Sequence, residues 1–155
     1  MMLRTTLAVA ACAAATLAAA AEPPGAAPAA RALASRVDDP ALKWSPCPPL
    51  FAPGCQIAVL QGDPAKPNAD VFFRIPAGYV IPPHSHTSAE HMVLVTGELE
   101  VHYKGQAAVT LRKGDYAYGP ANLPHLGRCR SKGPCTLFIS FDLPVDALPY
   151  DGEIP

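Results

Sequence analysis

From Gln56 onward, short runs of aliphatic, aromatic and β-branched residues alternate with turn residues at close intervals. Within several runs the apolar positions recur every second residue, the period of a half-buried strand. The pattern predicts strands over residues 56–61, 71–75, 79–81, 91–96, 98–103, 107–111, 116–118 and 136–141. Gly62-Asp63-Pro64, Pro76-Ala77-Gly78, Gly97, Lys104-Gly105, Lys113-Gly114-Asp115 and Gly133-Pro134 punctuate them. No stretch beyond residue 40 carries a 3.6-residue apolar period, so the expected fold is all-β, a sandwich or barrel. No internal repeat points to a propeller or solenoid.

The ends of the chain read differently. After Arg4, residues 5–17 form an uncharged Ala/Leu/Val stretch that runs into Ala18-Ala19-Ala20-Ala21 before Glu22. That is the layout of a secretory signal peptide cleaved after Ala21. As a transmembrane anchor the stretch is short, Ala-rich and followed by Pro23-Pro24-Gly25 instead of a basic flank. Val9-Ala10-Ala11-Cys12 is similar to a lipobox, which makes a lipid anchor on Cys12 a minor alternative. Residues 22–34 are dominated by Ala, Pro and Gly and read as a tether. Residues 31–37 allow one or two helical turns, closed by Asp38-Asp39-Pro40. The expected organisation is a signal peptide (1–21), a linker (22–40), a barrel domain (41–145) and a tail (146–155). The Pro-rich residues 143–155 are expected to lie along the surface or fray.

Composition narrows the function. A chain of 155 residues that is 50% hydrophobic and 16% charged makes one domain at most. Its 12 Lys+Arg against 13 Asp+Glu leave no electrostatic footprint for a phosphate backbone, which excludes a basic nucleic-acid binder. Losing Arg4 with the signal leaves a mildly acidic protein, periplasmic or secreted, without a transmembrane anchor in its mature form. Cys47, Cys55, Cys129 and Cys135 lie beyond the cleavage point. An even count in an oxidising compartment reads as disulfides, and the sequence-local pairing, Cys47 with Cys55 and Cys129 with Cys135, is favoured. A structural zinc site, which lacks C-x2-C spacing here, and free thiols are the alternatives.

The segment His84-Ser85-His86-Thr87-Ser88-Ala89-Glu90-His91 concentrates the candidate chemistry. On an extended chain His84 and His86 share a face, and Glu90 has the same parity if the bend at Thr87-Ser88 preserves it. All three then face the barrel interior, and His91 faces out. Two imidazoles and a carboxylate among apolar side chains need a partner, and a divalent cation is the economical one. His125, after the turn at Pro120-Ala121-Asn122-Leu123-Pro124, is a candidate fourth ligand. Solvated loop histidines beside Pro82-Pro83 are the plainer alternative.

Residues 78–97 fit the first cupin motif, G-x5-H-x-H-x3-E-x6-G, at Gly78, His84, His86, Glu90 and Gly97. Residues 114–129 resemble the second motif, G-x5-P-x-G-x2-H-x3-N, at Gly114, Pro120 and His125, with Asn122 and Cys129 departing from it. Over roughly residues 55–142 the chain thus resembles a small bacterial cupin. The resemblance implies an antiparallel jelly-roll barrel of the RmlC-like kind holding one divalent metal (iron, manganese, copper, nickel or zinc) on His84, His86, Glu90 and His125. Asn tolerates the positive φ expected at position 122. At Cys129, a disulfide to Cys135 would replace the usual amide contacts.

Met92 and Leu94 are expected to face inward beside the ligands, with Met92 a candidate substrate contact on the pocket floor. Tyr116 and Tyr118 share a face near His125 and are candidate hydrogen-bond donors to substrate, although packing explains such tyrosines more often. His102 is expected on an outer face, Arg74, Arg112 and Arg128 at the surface, and Trp44 at one end of the barrel. The resemblance implies a small-molecule ligand or substrate and two functional classes. The first is a metalloenzyme, dioxygenase-like with iron, copper or manganese, or a lyase or isomerase with zinc, in which Glu90 acts as a catalytic base. The second is a non-catalytic periplasmic binding or sensing module. A homodimer is an open alternative.

Overall fold

The eight predicted runs become strands, three further strands that the pattern did not predict (Trp44–Pro46, His125–Cys129 and Leu148–Pro149) join them, and no helix occurs among the described residues, 31–155, of the computed structural model. The strands are β1 (Trp44–Pro46), β2 (Gln56–Gln61), β3 (Ala69–Ile75), β4 (Val80–Ser85), β5 (Glu90–Thr96), β6 (Glu98–Tyr103), β7 (Val109–Arg112), β8 (Tyr116–Gly119), β9 (His125–Cys129), β10 (Cys135–Phe141) and β11 (Leu148–Pro149). The proposed signal peptide, the Cys12 lipobox and most of the tether lie outside the described residues. No helix among those described is long and apolar enough to cross a membrane.

Two antiparallel sheets form, in the orders β1-β2-β3-β10-β5-β8 and β11-β4-β9-β6-β7. Alternation sends Val71, Ile75, Leu94, Leu137 and Ile139 inward from the first sheet and Ile81, Leu99, Val101 and Leu111 from the second, where they form one buried cluster. Each such side chain contributes about 1.5–3 kcal/mol when taken out of water. The result is the jelly-roll barrel that the strand pattern and motifs imply. Both sequence-local disulfides form, Cys47–Cys55 and Cys129–Cys135, with Cα separations of 5.4 and 5.8 Å.

Several expectations are corrected. The strand expected to stop at residue 81 runs on through Pro82-Pro83 to Ser85. Prolines donate no ladder hydrogen bond, and the register accordingly shifts between Ile81 and His84 before pairing resumes at His84 with His125. Strand β9 lacks an apolar alternation, since Gly127 and Arg128 interrupt it, but β4 and β6 flank it on both sides and supply its ladder. Residues 31–36 form no helical turn, and a turn closed by Asp39 N–H donating to Arg36 C=O follows them. Trp44 does not close the barrel end. It covers the outer face of the first sheet, stacked on Phe72 with the Arg74 guanidinium 3.8 Å over its ring.

Of the two courses open to the tail, it lies along the barrel. Val145 N–H donates to Pro64 C=O, β11 pairs with β4, and Tyr150 N–H donates to Pro83 C=O.

Candidate metal centre

The end of β4 and the middle of the second sheet bring His84 opposite His125, while His86 follows β4 directly and Glu90 opens β5. All four are buried. The bend between β4 and β5 is tied down from outside. Thr87 donates from N–H and Oγ1 to the Asp146 carboxylate at 2.9 and 2.6 Å, and Ser88 Oγ accepts from Leu143 N–H at 2.9 Å. His84, His86 and Glu90 therefore share the inward face, and His91 points out to Tyr116 and Asp142. Asn122 takes up φ +62°, and its N–H donates to His86 C=O at 2.7 Å, which fixes the histidine's backbone from the second motif.

One ring nitrogen from each of His84, His86 and His125 lies within 4.8 Å of the others. Their tautomers follow from their partners. His84 Nδ1 faces Pro82 C=O at 2.8 Å, His125 Nδ1 faces Leu123 C=O at 3.2 Å, and His86 Nδ1 faces Asp146 C=O. A carbonyl only accepts, so each Nδ1 carries the proton and each Nε2 presents a bare lone pair. Metal-binding histidines are commonly held by this kind of outer hydrogen bond.

Burial keeps the imidazoles neutral. Desolvation, reinforced by the neighbouring imidazoles, lowers His84 to about 3 and His125 to about 4, and it lowers His86 as well. The Glu90 carboxyl is pushed up to about 8 by complete burial. Glu90 Oε1 stands 3.3 Å from His86 Nε2 and Oε2 stands 3.4 Å from His125 Nε2, yet with neutral imidazoles these contacts are not ion pairs. His86 Nε2 and Glu90 Oε2 are both buried without a hydrogen-bond partner. The two Glu90 contacts are spaced as ligands of one cation would be: two ligands each about 2.1 Å from one ion sit about 3–3.4 Å apart at octahedral or tetrahedral angles.

The cavity over this cluster has a volume of about 100 Å³. Met92 lines it, as expected of an inward β5 residue, and Leu94 is buried beyond it. Tyr116 and Tyr118 are not brought to the cavity. They are 59% and 50% exposed on the outer face of β8, beside His91, because the inward residue of that strand is Ala117. His102 is on an outer face and within reach of Gln106 C=O. Arg112 stays exposed beside Glu98, and Arg128 is exposed on β9.

The structure adds residues that the sequence reading passed over. Tyr103, paired with His125 across β6 and β9, has a buried hydroxyl without a partner, raised above its ordinary range by desolvation and by Glu90. Gly119 leaves room for it, because a Cβ there would stand 3.1 Å from both Glu90 Oε2 and Tyr103 Oη. Asp146 and Phe51, the latter edge-on to the His84 ring, enter from the tail and from the Cys47–Cys55 loop. Only knowledge of strand order would have pointed to Tyr103. For Asp146, no signal in the tail marked it.

Comparison with known proteins agrees with the fold. No curated protein matches in sequence. Among solved structures, the DMSP lyase DddQ from Ruegeria pomeroyi superposes with a TM-score of 0.61 at 22% identity, over 72% of this chain and 64% of that one. An RmlC-like cupin from Shewanella frigidimarina gives 0.56 at 19% identity, over 68% and 86%. Oxalate decarboxylase from Bacillus subtilis gives 0.52 at 20%, over 61% and 26%. This chain therefore spans under two thirds of the lyase and about a quarter of the decarboxylase. Residues 71–141, from β3 to the end of β10 and including all four buried polar residues of the centre, match the family model for the cupin domain.

Proposed function

We propose that the chain is an exported mononuclear metalloenzyme acting on a small organic substrate, with dioxygenase-type oxidation as its reaction class. One observation carries the reading: three imidazoles, each with its Nδ1 proton given to a backbone carbonyl, bring one ring nitrogen apiece within 4.8 Å of one another, and His86 and His125 turn Nε2 toward a buried carboxylate. His84, His86, His125 and Glu90 hold one divalent first-row ion, whether iron, manganese, copper, nickel or zinc, a donor set that suits them all. When bound, such an ion supplies Lewis-acid or one-electron chemistry in a site shielded from water. These four residues would hold the ion and leave its cavity side to substrate. Glu90 would offset part of the ion's charge, and its desolvated carboxyl has the raised proton affinity that a general base needs. The apolar floor at Met92 excludes water from the reacting face. Export rests on the amino-terminal sequence, and the two disulfides suit an oxidising compartment.

The test is elemental analysis of protein purified from the periplasm, beside His86→Ala. About one iron, copper or manganese per chain, absent from the variant, supports the reading and directs assays to oxygen consumption. Stoichiometric zinc moves the assignment to a lyase, an isomerase or a non-catalytic binding module. Absence of metal from both proteins overturns it.

A further inference from the structure

The walls of the cavity carry information that its ligands do not. Every candidate cation is elsewhere. Arg74 donates to Val37 C=O and covers Trp44 on the outside of the first sheet, Arg112 pairs with Glu98 at the surface, and Lys104 reaches the Tyr150 hydroxyl. No lysine or arginine among the described residues lines the cavity, and its only acidic residues are Glu90 and Asp146. Without a metal ion, nothing in the lining offers a positive partner to an anion, and a charge that enters apolar surroundings unpaired is strongly disfavoured. A bound divalent ion would itself be such a partner.

The walls offer no hydrogen-bonding side chain apart from the histidine and carboxylate groups. Phe51, Ile57, Phe73, Val101 and Ile139 supply much of the surface. An apolar cavity of about 150 Å³ accommodates benzene, so about 100 Å³ suits about four non-hydrogen atoms held within the walls.

We propose that this cavity takes a small, uncharged, mainly apolar molecule bearing one ketone- or enol-type oxygen, which reaches the metal centre while the hydrocarbon part packs on the walls, and that the walls themselves, without the ion, discriminate against carboxylates. The proposal deepens the metalloenzyme reading and rests on it for the oxygen contact, whereas the polarity of the walls stands independently of it.

The test uses three probes of equal size: butanone, propionate and 1,2-propanediol. The chain has three methionines, Met1, Met2 and Met92, so ε-13C-methionine labelling of the full chain places one reporter on the cavity floor, assigned with Met92→Leu. Each probe is titrated into zinc-loaded and metal-free protein, and zinc content is measured separately. The expected result is a saturable Met92 shift with butanone in both forms and, in the metal-free form, at a concentration at least tenfold below that needed for propionate or propanediol. Propionate acting as strongly as butanone on metal-free protein overturns the exclusion of anions by the walls, equal action of propanediol there overturns the apolar character, and the absence of a Met92 shift with all three overturns the ligand class. If zinc fails to load, the metalloenzyme reading falls while the metal-free titration still decides the character of the walls.

Discussion

The hydroxyl of Tyr103 is buried beside Glu90 and His125 and donates to nothing. An unsatisfied buried hydroxyl costs about 1–3 kcal/mol, so removing it is not the loss that burial alone would suggest. Tyr103→Phe is expected to leave the metal-free fold as stable as the parent or more stable by about 1 kcal/mol, read from urea unfolding with chelator present. A loss above that figure would mean that the hydroxyl has a partner. Gly97 is the opposite case. At φ +90°, a Cβ there would meet Cys135 Sγ at 2.8 Å and Ser131 Oγ at 2.9 Å, so Gly97→Ala is expected to destabilise by about 1–3 kcal/mol in the same measurement. Residue spacing made part of this centre legible. His84, His86 and Glu90 share parity along one segment, and Asn122 is a residue type that accepts the φ it adopts. Tyr103 was hidden because its place depends on β9 lying against β6, and the assignment of Tyr116 and Tyr118 failed because strand parity alone does not say which face is inner.

At the scale of elements, the second sheet was the less legible. Its strands β4, β9 and β11 carry Pro82, Pro83, Gly127 and Pro149, residues that weaken a strand's pattern, and the ladder between neighbours decides their state. In the first sheet β3, β5 and β10, with their regular alternation, were readable nearly to the residue, whereas β1 in the Pro-rich segment was not predicted. The strap from Leu143 to Tyr150 illustrates the gap: a Pro-rich tail by composition, it nonetheless supplies the carbonyl that sets the His86 tautomer and the carboxylate that anchors Thr87. Asp146→Ala removes both bonds to Thr87 while keeping the carbonyl. Loss of an outer partner of this kind typically weakens metal binding by about 10–100-fold, and the expected result lies toward the lower end of that range. Competition with a chromogenic chelator measures it, and unchanged affinity would show that the Asp146 carboxylate and its bonds to Thr87 do not help to position His86.

For the whole molecule, proton binding couples the centre to stability, with opposite signs from its two kinds of ligand. The unfolded chain protonates its histidines near 6.5, whereas in the folded metal-free protein His84 and His125 wait until about 3 and about 4. His86 is lowered too. Below pH 6.5 the unfolded state therefore binds more protons at these three sites, and stability falls as the solution is acidified. Glu90 works the other way: unfolded it ionises near 4.5, folded near 8, so its contribution is lost as pH rises across that interval. Three histidines outweigh one carboxyl on the acid side and Glu90 acts alone above 6.5, so metal-free protein is expected to be most stable near pH 6.5. It should lose at least about 1 kcal/mol per pH unit well below that value. A bound divalent ion pairs with the carboxylate and removes the alkaline loss, and at a hundredfold excess over Kd it adds about 2.7 kcal/mol. Urea unfolding from pH 5 to 8, with chelator or with metal, reads both curves. Equal stability of the metal-free protein at pH 5 and 6.5 would mean that the histidines are not buried together as neutral ligands.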